Sequence, residues 1–232
     1  MSAVVYLIPI AIAEDGYEHL SSQTKSIIHA CDVFFVENLR TARRAFRKID
    51  PQFYIDGKQW VEVKQEEQSF IQEFKKAILD KLTIGIVSES GCPGIADPGQ
   101  VLVSLAQELC IRVKPLAGPS SIIMTLMASG MNGQQFSFNG YLPIPVEERI
   151  KKIKELEKKA TQENYTQIFI ETPYRNQQMI ESLLSTLNST TRLCIGYHIS
   201  SSQEWVKTKT ITDWKKEIPK LEKEPAVFII GT

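Results

Sequence analysis

Short apolar runs alternate with stretches of helical period along most of the chain. The apolar runs predict strands, and amphipathic stretches such as Gln65–Leu82, Gly99–Leu109 and Arg175–Leu187 predict helices between them. Strands that alternate with helices are typical of an α/β protein with a largely parallel sheet. The predicted strands are Val4–Pro9, Val33–Glu37, Thr83–Ser88, Arg112–Pro115, Gln135–Asn139, Gln167–Glu171, Arg192–His198 and Ala226–Gly231.

This pattern changes after a turn cluster at Ala117–Ser121, which is followed by an apolar helix, Ile122–Ser129. Further on, a charged helix at Glu147–Ala160 precedes a strand, a helix and two more strands, of which Glu204–Thr210 is expected to be antiparallel. We therefore predict two α/β domains, residues 1–116 and 117–232, the second of α+β type. A cleft between two such domains is a common place for a ligand.

The composition excludes several classes of protein. The 232 residues carry 27 Lys and Arg against 27 Asp and Glu, and 43% are apolar, as in ordinary globular proteins. No apolar run approaches the length of a membrane span, and Met1–Pro9 lacks the basic segment of a signal peptide. The four cysteines form no CxxC pair, so we expect a reduced cytoplasmic protein without structural zinc. Zero net charge restricts nucleic-acid binding to a local patch.

The loop Ser88–Gly99 joins a predicted strand to a predicted helix. Open α/β folds bind ligands at such loops, and its three glycines allow backbone to approach a ligand closely. Asp97 before Pro98 fits a helix N-cap followed by proline at the first helical position. The loop has neither a Walker A motif nor GxGxxG, so it lacks a specific signal for a phosphate cradle.

Ser88–Gly99 resembles the S-D-A-G-x-P-x-I-S-D-P-G loop of the tetrapyrrole (corrin/porphyrin) methylase superfamily. Other segments resemble, in the right order, motifs of its group that methylates a cytidine 2′-hydroxyl in small-subunit ribosomal RNA. The matching segments span about residues 4 to 176, and the ordered set is specific where each motif alone is weak. They are Val36–Arg40 against A-E-D-T-R, Gly118–Ser121 against G-P-S-A, Ser129–Met131 against S-G-L, Phe136–Pro143 against F-x-F-x-G-F-L-P and Ile170–Arg175 against Y-E-S-P-H-R.

The resemblance implies a two-domain α/β fold that holds S-adenosylmethionine in the interdomain cleft, usually as a homodimer. Ile95, Tyr141 and Leu142 are candidates for an apolar adenine slot, and backbone near Gly91 for the polar parts of the cofactor. A plain core or edge role stays open for Tyr141 and for Pro225 with Ala226. The full set of predicted cofactor-binding residues is Pro9, Ser88, Glu89, Ser90, Gly91, Ile95, Ser120, Ser121, Tyr141, Leu142, Pro225 and Ala226.

The sequence departs from the family pattern mainly where a substrate is expected. The family's first loop, T-P-I-G-N-L-x-D, is replaced by Ile8–Asp15, so side chains stand where glycine backbone could come close to a substrate. We therefore expect the cofactor site to be better preserved than the substrate site. The other departures are Asn38 for the second acid of A-E-D-T-R, Glu89 for aspartate, Ser200–Glu204 near the place of R-E-L-T-K, and the chain end at Thr232, where many members carry a further segment.

Two carboxylates at strand ends are candidates for the general base that a hydroxyl acceptor needs. Glu37 and Glu171 both follow predicted strands on the ligand side of a parallel sheet. We predict Glu37, Arg40 and Glu171 as catalytic residues, with Glu37 and Arg40 lining the acceptor pocket. Ion pairs of Glu37 with Arg40 and of Glu171 with Arg175 are the alternative.

Four arginines, Arg40, Arg43, Arg44 and Arg47, fall on one face of a predicted helix, while Ala42, Ala45, Phe46 and Ile49 can face the core. Such a face suits RNA phosphate, and a solvated helix surface is the alternative. The second charged stretch, Arg149–Lys159, is expected to be a solvated helix. The three histidines match no ligand spacing, so no metal is predicted.

These observations predict an S-adenosylmethionine-dependent methyltransferase that acts on ribosomal RNA ribose. Two alternatives remain. One is a methyltransferase of the same fold for a tetrapyrrole or another small molecule, because a fold does not fix a substrate. The other is a non-catalytic cofactor-binding protein, in which the altered loop Ile10-Ala11-Ile12 has lost turnover.

Overall fold

The computed structural model describes residues 2–64, 69–221 and 224–232, and of His19 the backbone only. The described chain divides into two compact units, Met1–Ser120 and Ser121–Thr232. The predicted boundary after residue 116 lies in the turn cluster just before this division. Each unit alternates strands with helices, which confirms the predicted α/β class.

In its described residues, the first unit builds one five-stranded parallel sheet in the order β3-β2-β4-β1-β5. The apolar runs of β2 and β4 supply its centre, and both strands are buried. The strands are Val4–Ile8 (β1), Val33–Val36 (β2), Gln59–Glu62 (β3), Thr83–Val87 (β4) and Arg112–Pro115 (β5).

Helices cover both faces of this sheet because neighbouring side chains on a strand point to opposite sides. Phe34 packs edge-on against Phe46 on one face, with ring centroids 4.9 Å apart, and Phe35 packs against Phe74 on the other at 5.2 Å. The helices are Ser22–Ala30 (α1), Leu39–Ile49 (α2), Ser69–Leu79 (α3) and Gln100–Glu108 (α4). The predicted start of α3 at Gln65 lies outside the described residues.

The second unit, as far as it is described, carries a mixed sheet in the order β6-β7-β10-β8-β9. Only β6 and β7 run parallel; β9 is antiparallel to β8, which confirms the prediction for Glu204–Thr210. The strands are Phe136–Tyr141 (β6), Thr166–Glu171 (β7), Arg192–Tyr197 (β8), Trp205–Thr210 (β9) and Ala226–Gly231 (β10), and the helices are Ser121–Ser129 (α5), Val146–Glu163 (α6), Asn176–Thr186 (α7) and Ile211–Lys216 (α8).

Helix α6 exposes most of its charged side chains, as predicted for a solvated helix, but two of them are buried. The Arg149 side chain is buried, and its Nε and a guanidinium nitrogen donate to Ser182 Oγ and to the Ile144 carbonyl, each at 3.0 Å. Glu157 is also buried and accepts a hydrogen bond of 2.7 Å from the backbone of Asn188. Two charged side chains therefore tie α6 to its surroundings, because a buried charge needs partners.

The core of the second unit contains a buried hydroxyl, Thr125 Oγ1, that has no hydrogen-bond partner among the described residues. A buried unpaired polar group costs about 1–3 kcal/mol. We therefore expect Thr125→Val to leave the free energy of unfolding unchanged or to raise it by up to about 1 kcal/mol. Urea unfolding of the whole chain measures this.

Thr191 provides the matched control, since it is also buried but its hydroxyl is hydrogen-bonded to the Glu157 carboxylate. Thr191→Val should lower the free energy of unfolding by about 1–3 kcal/mol. A comparable loss in Thr125→Val would show that the Thr125 hydroxyl is satisfied.

Candidate active site

The carboxyl ends of the parallel strands in the first unit bring three segments to one edge of the sheet. Glu37 follows β2, Ser88 follows β4 and Pro9 follows β1, and these three strands are neighbours in the sheet. In open α/β sheets this is the edge where ligands bind. Because they follow the carboxyl ends of parallel strands, Glu37 and the loop Ser88–Gly99 lie where a ligand site is expected.

Glu37 is held over the end of β4 by two hydrogen bonds. Its amide donates to the Val87 carbonyl at 3.3 Å, and its Oε2 accepts from the Glu89 amide at 3.0 Å. Partial burial raises the pKa of the Glu37 carboxyl, and the nearby Asp97 and Glu89 carboxylates raise it further, although the Glu89 amide opposes them. Among the described residues, no ion pair joins Glu37 to Arg40, so the ion pair that was the alternative to a catalytic role is not formed.

The loop after β4 is fixed by its own polar groups. The buried Ser88 hydroxyl donates to the Ser90 carbonyl at 3.1 Å, and the Gly91 carbonyl accepts from the Ile10 amide at 3.1 Å. Gly91 has φ +68°, a conformation that favours glycine. Glu89 and Ser90 are exposed, so the loop presents backbone and polar side chains to solvent.

Asp97 is not the helix N-cap that the sequence predicts. Helix α4 begins at Gln100, and Gly99 occupies the cap position. The Asp97 Oδ1 instead accepts from the amides of Gly94 at 2.9 Å and Gly99 at 2.8 Å. The carboxylate is used to close the loop on itself, which local sequence signals do not distinguish from capping.

Gly118 allows the segment after β5 to touch the first loop. A Cβ atom built on Gly118 would overlap the ring of Pro9 deeply, so only glycine fits here. The Cys92 thiol donates to the Pro119 carbonyl at 3.3 Å, which connects the loop after β4 to the segment after β5. Ser120 follows directly, and Ser121 begins α5 in the second unit.

A cavity of about 250 Å³ opens beside Glu89, and we call it the Arg40 cavity. The first loop forms an aliphatic wall on one side, and α2 provides polar groups on the other. Arg40 is exposed and has no hydrogen bond or ion pair with any described residue, whereas Thr41 Oγ1 donates to Glu89 Oε1 at 3.4 Å. The lining residues are Ile10, Ala11, Ile12, Ala13, Glu14, Tyr17, Arg40, Thr41, Arg44 and Glu89.

An apolar groove of about 360 Å³ lies on the same loop, and we call it the Ile95 groove. The Ile95 side chain is 51% exposed and lines this groove, so it offers an apolar surface to a ligand. Gly94 has φ +82°, and a Cβ atom there would meet nothing within 4 Å, so the groove is open at this point. The other lining residues are Leu7, Cys92, Pro93, Gln100, Val103, Pro115 and Leu116.

The predicted arginine face of α2 is exposed, and Ala42, Ala45 and Phe46 are buried beneath it as expected. Most of its cations already have partners. Arg43 lies over the Trp60 ring at 5.3 Å, Arg47 donates to the Pro51 carbonyl at 2.8 Å, and Arg44 pairs with Glu14 at 2.6 Å. Among the described residues, Arg40 is therefore the cation of this face that has no partner, and it lines the Arg40 cavity.

The predicted residues of the second unit meet at one edge of its sheet. Strand register places Glu171 opposite Ala226, Ala226 opposite Tyr197, and Tyr141 opposite Ile170. Tyr141 is 56% exposed, and Pro225 is exposed as well. Leu142 is buried among the core side chains of this unit, so it does not fit the expected lining of a ligand slot.

Glu171 forms the ion pair that was the alternative to a catalytic role. Glu171 Oε1 accepts hydrogen bonds from the Arg175 guanidinium, whose Nε lies 2.9 Å away, and from the backbone amide of Thr172 at 2.6 Å. The carboxylate is 3% exposed. Glu171 is thus engaged within the protein, whereas Glu37 has no ion pair with any described residue.

The family assignment follows from a match that spans nearly the whole chain. The tetrapyrrole (corrin/porphyrin) methylases match residues 6–214, which extend over most of both units and include every motif of the resemblance. The chain belongs to this family. The resemblance carried by the loop Ser88–Gly99 is thereby confirmed.

Relatives within the tetrapyrrole methylase family are named as ribosomal RNA small subunit methyltransferase I. The protein of Vibrio cholerae is 26% identical over 98% of this chain and 76% of its own length. That of Buchnera aphidicola subsp. Schizaphis graminum is 32% identical over 72% of this chain and 57% of its own. The fold matches a crystal structure of diphthine synthase with a TM-score of 0.65 at 13% identity, over all of this chain and 90% of the other.

Sequence reasoning did not find several residues that shape this methylase's site. Glu14, Tyr17 and Thr41 line the Arg40 cavity although none was predicted. Glu14 and Tyr17 come close to α2 only through the path of the first loop, so no local pattern marks them. Thr41, one residue after Arg40 and three after the N-cap Asn38, was the only one with a local signal.

The described part of the chain also limits other kinds of site. It contains no group of three or more His, Cys, Asp or Glu side chains placed to hold a metal ion. None of its helices is both long and apolar enough to cross a membrane.

Proposed function

We propose that the protein transfers a methyl group from S-adenosylmethionine to a ribose hydroxyl of small-subunit ribosomal RNA. The observation that carries this proposal is Glu37, a carboxylate with a raised pKa at the ligand-binding edge of the sheet. It accepts a hydrogen bond from the amide of Glu89, which lines the Arg40 cavity. The names of the relatives support the RNA substrate, and the family match supports the methyl donor.

The Ile95 groove fits the apolar part of S-adenosylmethionine. It offers an exposed isoleucine and open space beside Gly94, and the adjoining loop offers the backbone groups of Ser90 and Gly91. Ligand sites typically combine such an apolar wall with a few polar groups. When bound, the cofactor supplies the electrophilic methyl group. We further propose that Pro9, Ser88 and Ser120 shape its polar surroundings.

The Arg40 cavity fits the acceptor. Its aliphatic wall suits the flat face of a base, and the Arg40 guanidinium suits a phosphate or a base edge. Glu37 accepts the proton of the attacking hydroxyl as the methyl group arrives, which is general base catalysis. Because the acceptor must be aligned with the methyl group, we expect positioning by these walls to supply much of the rate.

We expect Ile95→Asp to weaken the binding of S-adenosylmethionine at least tenfold. The substitution would bring a carboxylate into an apolar groove, where a charge loses hydration. Isothermal titration calorimetry of the purified protein measures the affinity, and the unaltered chain should bind one cofactor. Leu79→Asp is the control, because Leu79 is 78% exposed on α3 and lines neither cavity. Equal affinities for the two variants would exclude the groove as the cofactor site.

The experiment that tests the function is methylation of RNA with radiolabelled S-adenosylmethionine. The substrate is small-subunit ribosomal RNA or small subunits from cells that lack this enzyme, and the labelled position is located by nuclease mapping. Label in one 2′-O-methylated nucleotide supports the proposal. Cofactor binding without transfer to RNA would favour a non-catalytic role, and transfer to a tetrapyrrole would favour the small-molecule alternative. The cytoplasmic location that the cysteines predict and the homodimer that the resemblance implies remain proposals, which cell fractionation and light scattering can test.

A further inference from the structure

Helix α2 presents a row of three cations, Arg40, Arg44 and Lys48, spaced four residues apart. Side chains at this spacing are neighbours on a helix surface. Arg40 has no partner among the described residues, but the next two cations share one anion, the carboxylate of Glu14 in the first loop. The row is thus open at one end and closed at the other.

The geometry around Glu14 is that of an anion site with its anion supplied by the protein. One carboxylate oxygen lies 2.6 Å from the Arg44 guanidinium, and the other lies 2.6 Å from Lys48 Nζ. Lys48 also donates to the Glu14 carbonyl at 3.2 Å and lies over the Tyr17 ring at 5.1 Å. The hydrogen bond from Lys48 holds the pKa of the Glu14 carboxyl below its usual value, with Arg44 adding to the effect, so the group carries its charge.

Solvent and larger anions can reach this site. The Glu14 side chain is 70% exposed and that of Arg44 is 62% exposed. Exposed ion pairs of this kind contribute little to stability, typically less than about 1 kcal/mol each. A polyanion that approaches the open end at Arg40 can therefore compete with Glu14 for the remaining two cations.

We propose that Glu14 occupies the place of an RNA phosphate in the free protein and is displaced when RNA binds. The inference rests on the proposed function, because it takes RNA as the polyanion. Glu14 itself lines the Arg40 cavity, so its displacement changes the charge at the rim of that cavity. Binding of the RNA backbone on α2 is thereby coupled to the acceptor site.

Glu14→Gln tests this proposal, because glutamine keeps the size of the side chain and removes its charge. We expect the variant to bind a fluorescein-labelled fragment of small-subunit ribosomal RNA about three- to tenfold more tightly at 50 mM salt, measured by fluorescence anisotropy. The dependence of affinity on salt should also become steeper, since salt weakens the internal pair of the unaltered protein as well as the RNA contacts.

Glu217→Gln is the matched control for the change in net charge. Glu217 is also an exposed carboxylate in an ion pair, with Lys209 at 2.8 Å, but it lies in the second unit. We expect it to change the affinity less than twofold. The Glu14→Gln gain should also vanish when Arg44 and Lys48 are both replaced with Gln, since a double-mutant cycle isolates coupling between contacting residues.

The outcomes separate this inference from the proposed function. Equal effects of Glu14→Gln and Glu217→Gln, or weaker RNA binding by Glu14→Gln, would overturn the displacement of Glu14 while RNA binding itself stands. A gain that persists without Arg44 and Lys48 would also overturn it. If neither the unaltered chain nor any variant binds the RNA, the proposed function fails instead.

Discussion

The Glu37→Gln variant is expected to lose methyl transfer by about 10²–10⁴-fold while it binds S-adenosylmethionine as tightly as the unaltered protein. Glutamine keeps the shape of the side chain and can still accept the hydrogen bond from the Glu89 amide. It cannot accept the proton of an attacking hydroxyl. Single-turnover transfer to RNA and calorimetry with the cofactor measure the two quantities separately.

The pH dependence of the same reaction provides a second readout. Burial, together with Asp97 and Glu89, raises the pKa of Glu37, and a base must be deprotonated to act. Activity should therefore rise with pH through a value above about 4.3, the pKa of an ordinary glutamate, and this rise should be missing from the residual activity of Glu37→Gln. Glu108→Gln, on the exposed surface of α4, should change neither quantity. Unchanged turnover in Glu37→Gln would eliminate Glu37 as the base.

Gly118→Ala should lower the free energy of unfolding by about 1–3 kcal/mol or more. The added Cβ would overlap Pro9, whose ring cannot rotate away, so backbone must move. Because Pro9 leads into the first loop, we also expect the Arg40 cavity to be distorted and methyl transfer to fall. Urea unfolding followed by circular dichroism measures the loss of stability.

Gly133→Ala is the control for Gly118→Ala, because a Cβ at Gly133 meets nothing within 4 Å and the residue is exposed. This variant should be as stable as the unaltered chain. Gly118→Ala should cost less stability in a Pro9→Gly background, since glycine lacks both ring carbons, Cβ and Cγ, that the new methyl group meets. If the Gly118 and Gly133 variants unfold at the same urea concentration, the contact with Pro9 is not a constraint.

The sequence predicts a strand well where both of its faces are buried, and poorly where it is the outermost strand of the sheet. The apolar runs of β2 and β4 lie where they were predicted. Strand β3 was missed, because it is a four-residue edge strand in which only Val61 is buried. The position of β3 is fixed by its pairing with β2, and no local sequence pattern contains that information.

The candidate site was predictable as far as it follows from strand ends. Glu37 and the loop after β4 were found this way because parallel strands end at one edge. The contact of Glu14 with α2 and the two buried charges of α6, Arg149 and Glu157, depend on partners distant in sequence. A charged residue in a polar stretch has the same local signal whether it is solvated or buried, so the sequence alone did not identify these two buried charges.

The positions of β1 and β10 have a consequence for how the chain is made on the ribosome. The first strand lies between β4 and β5, so it waits for its partners until residues 83–115 have been synthesised. Strand β10 lies between β7 and β8, so the second sheet lacks its centre until residues 226–231 have been synthesised. Nascent protein therefore carries unpaired strand edges until these partners emerge, and such edges invite pairing with other chains. Slower translation should prolong this exposure, and a chaperone that shields strand edges should raise the yield of folded protein.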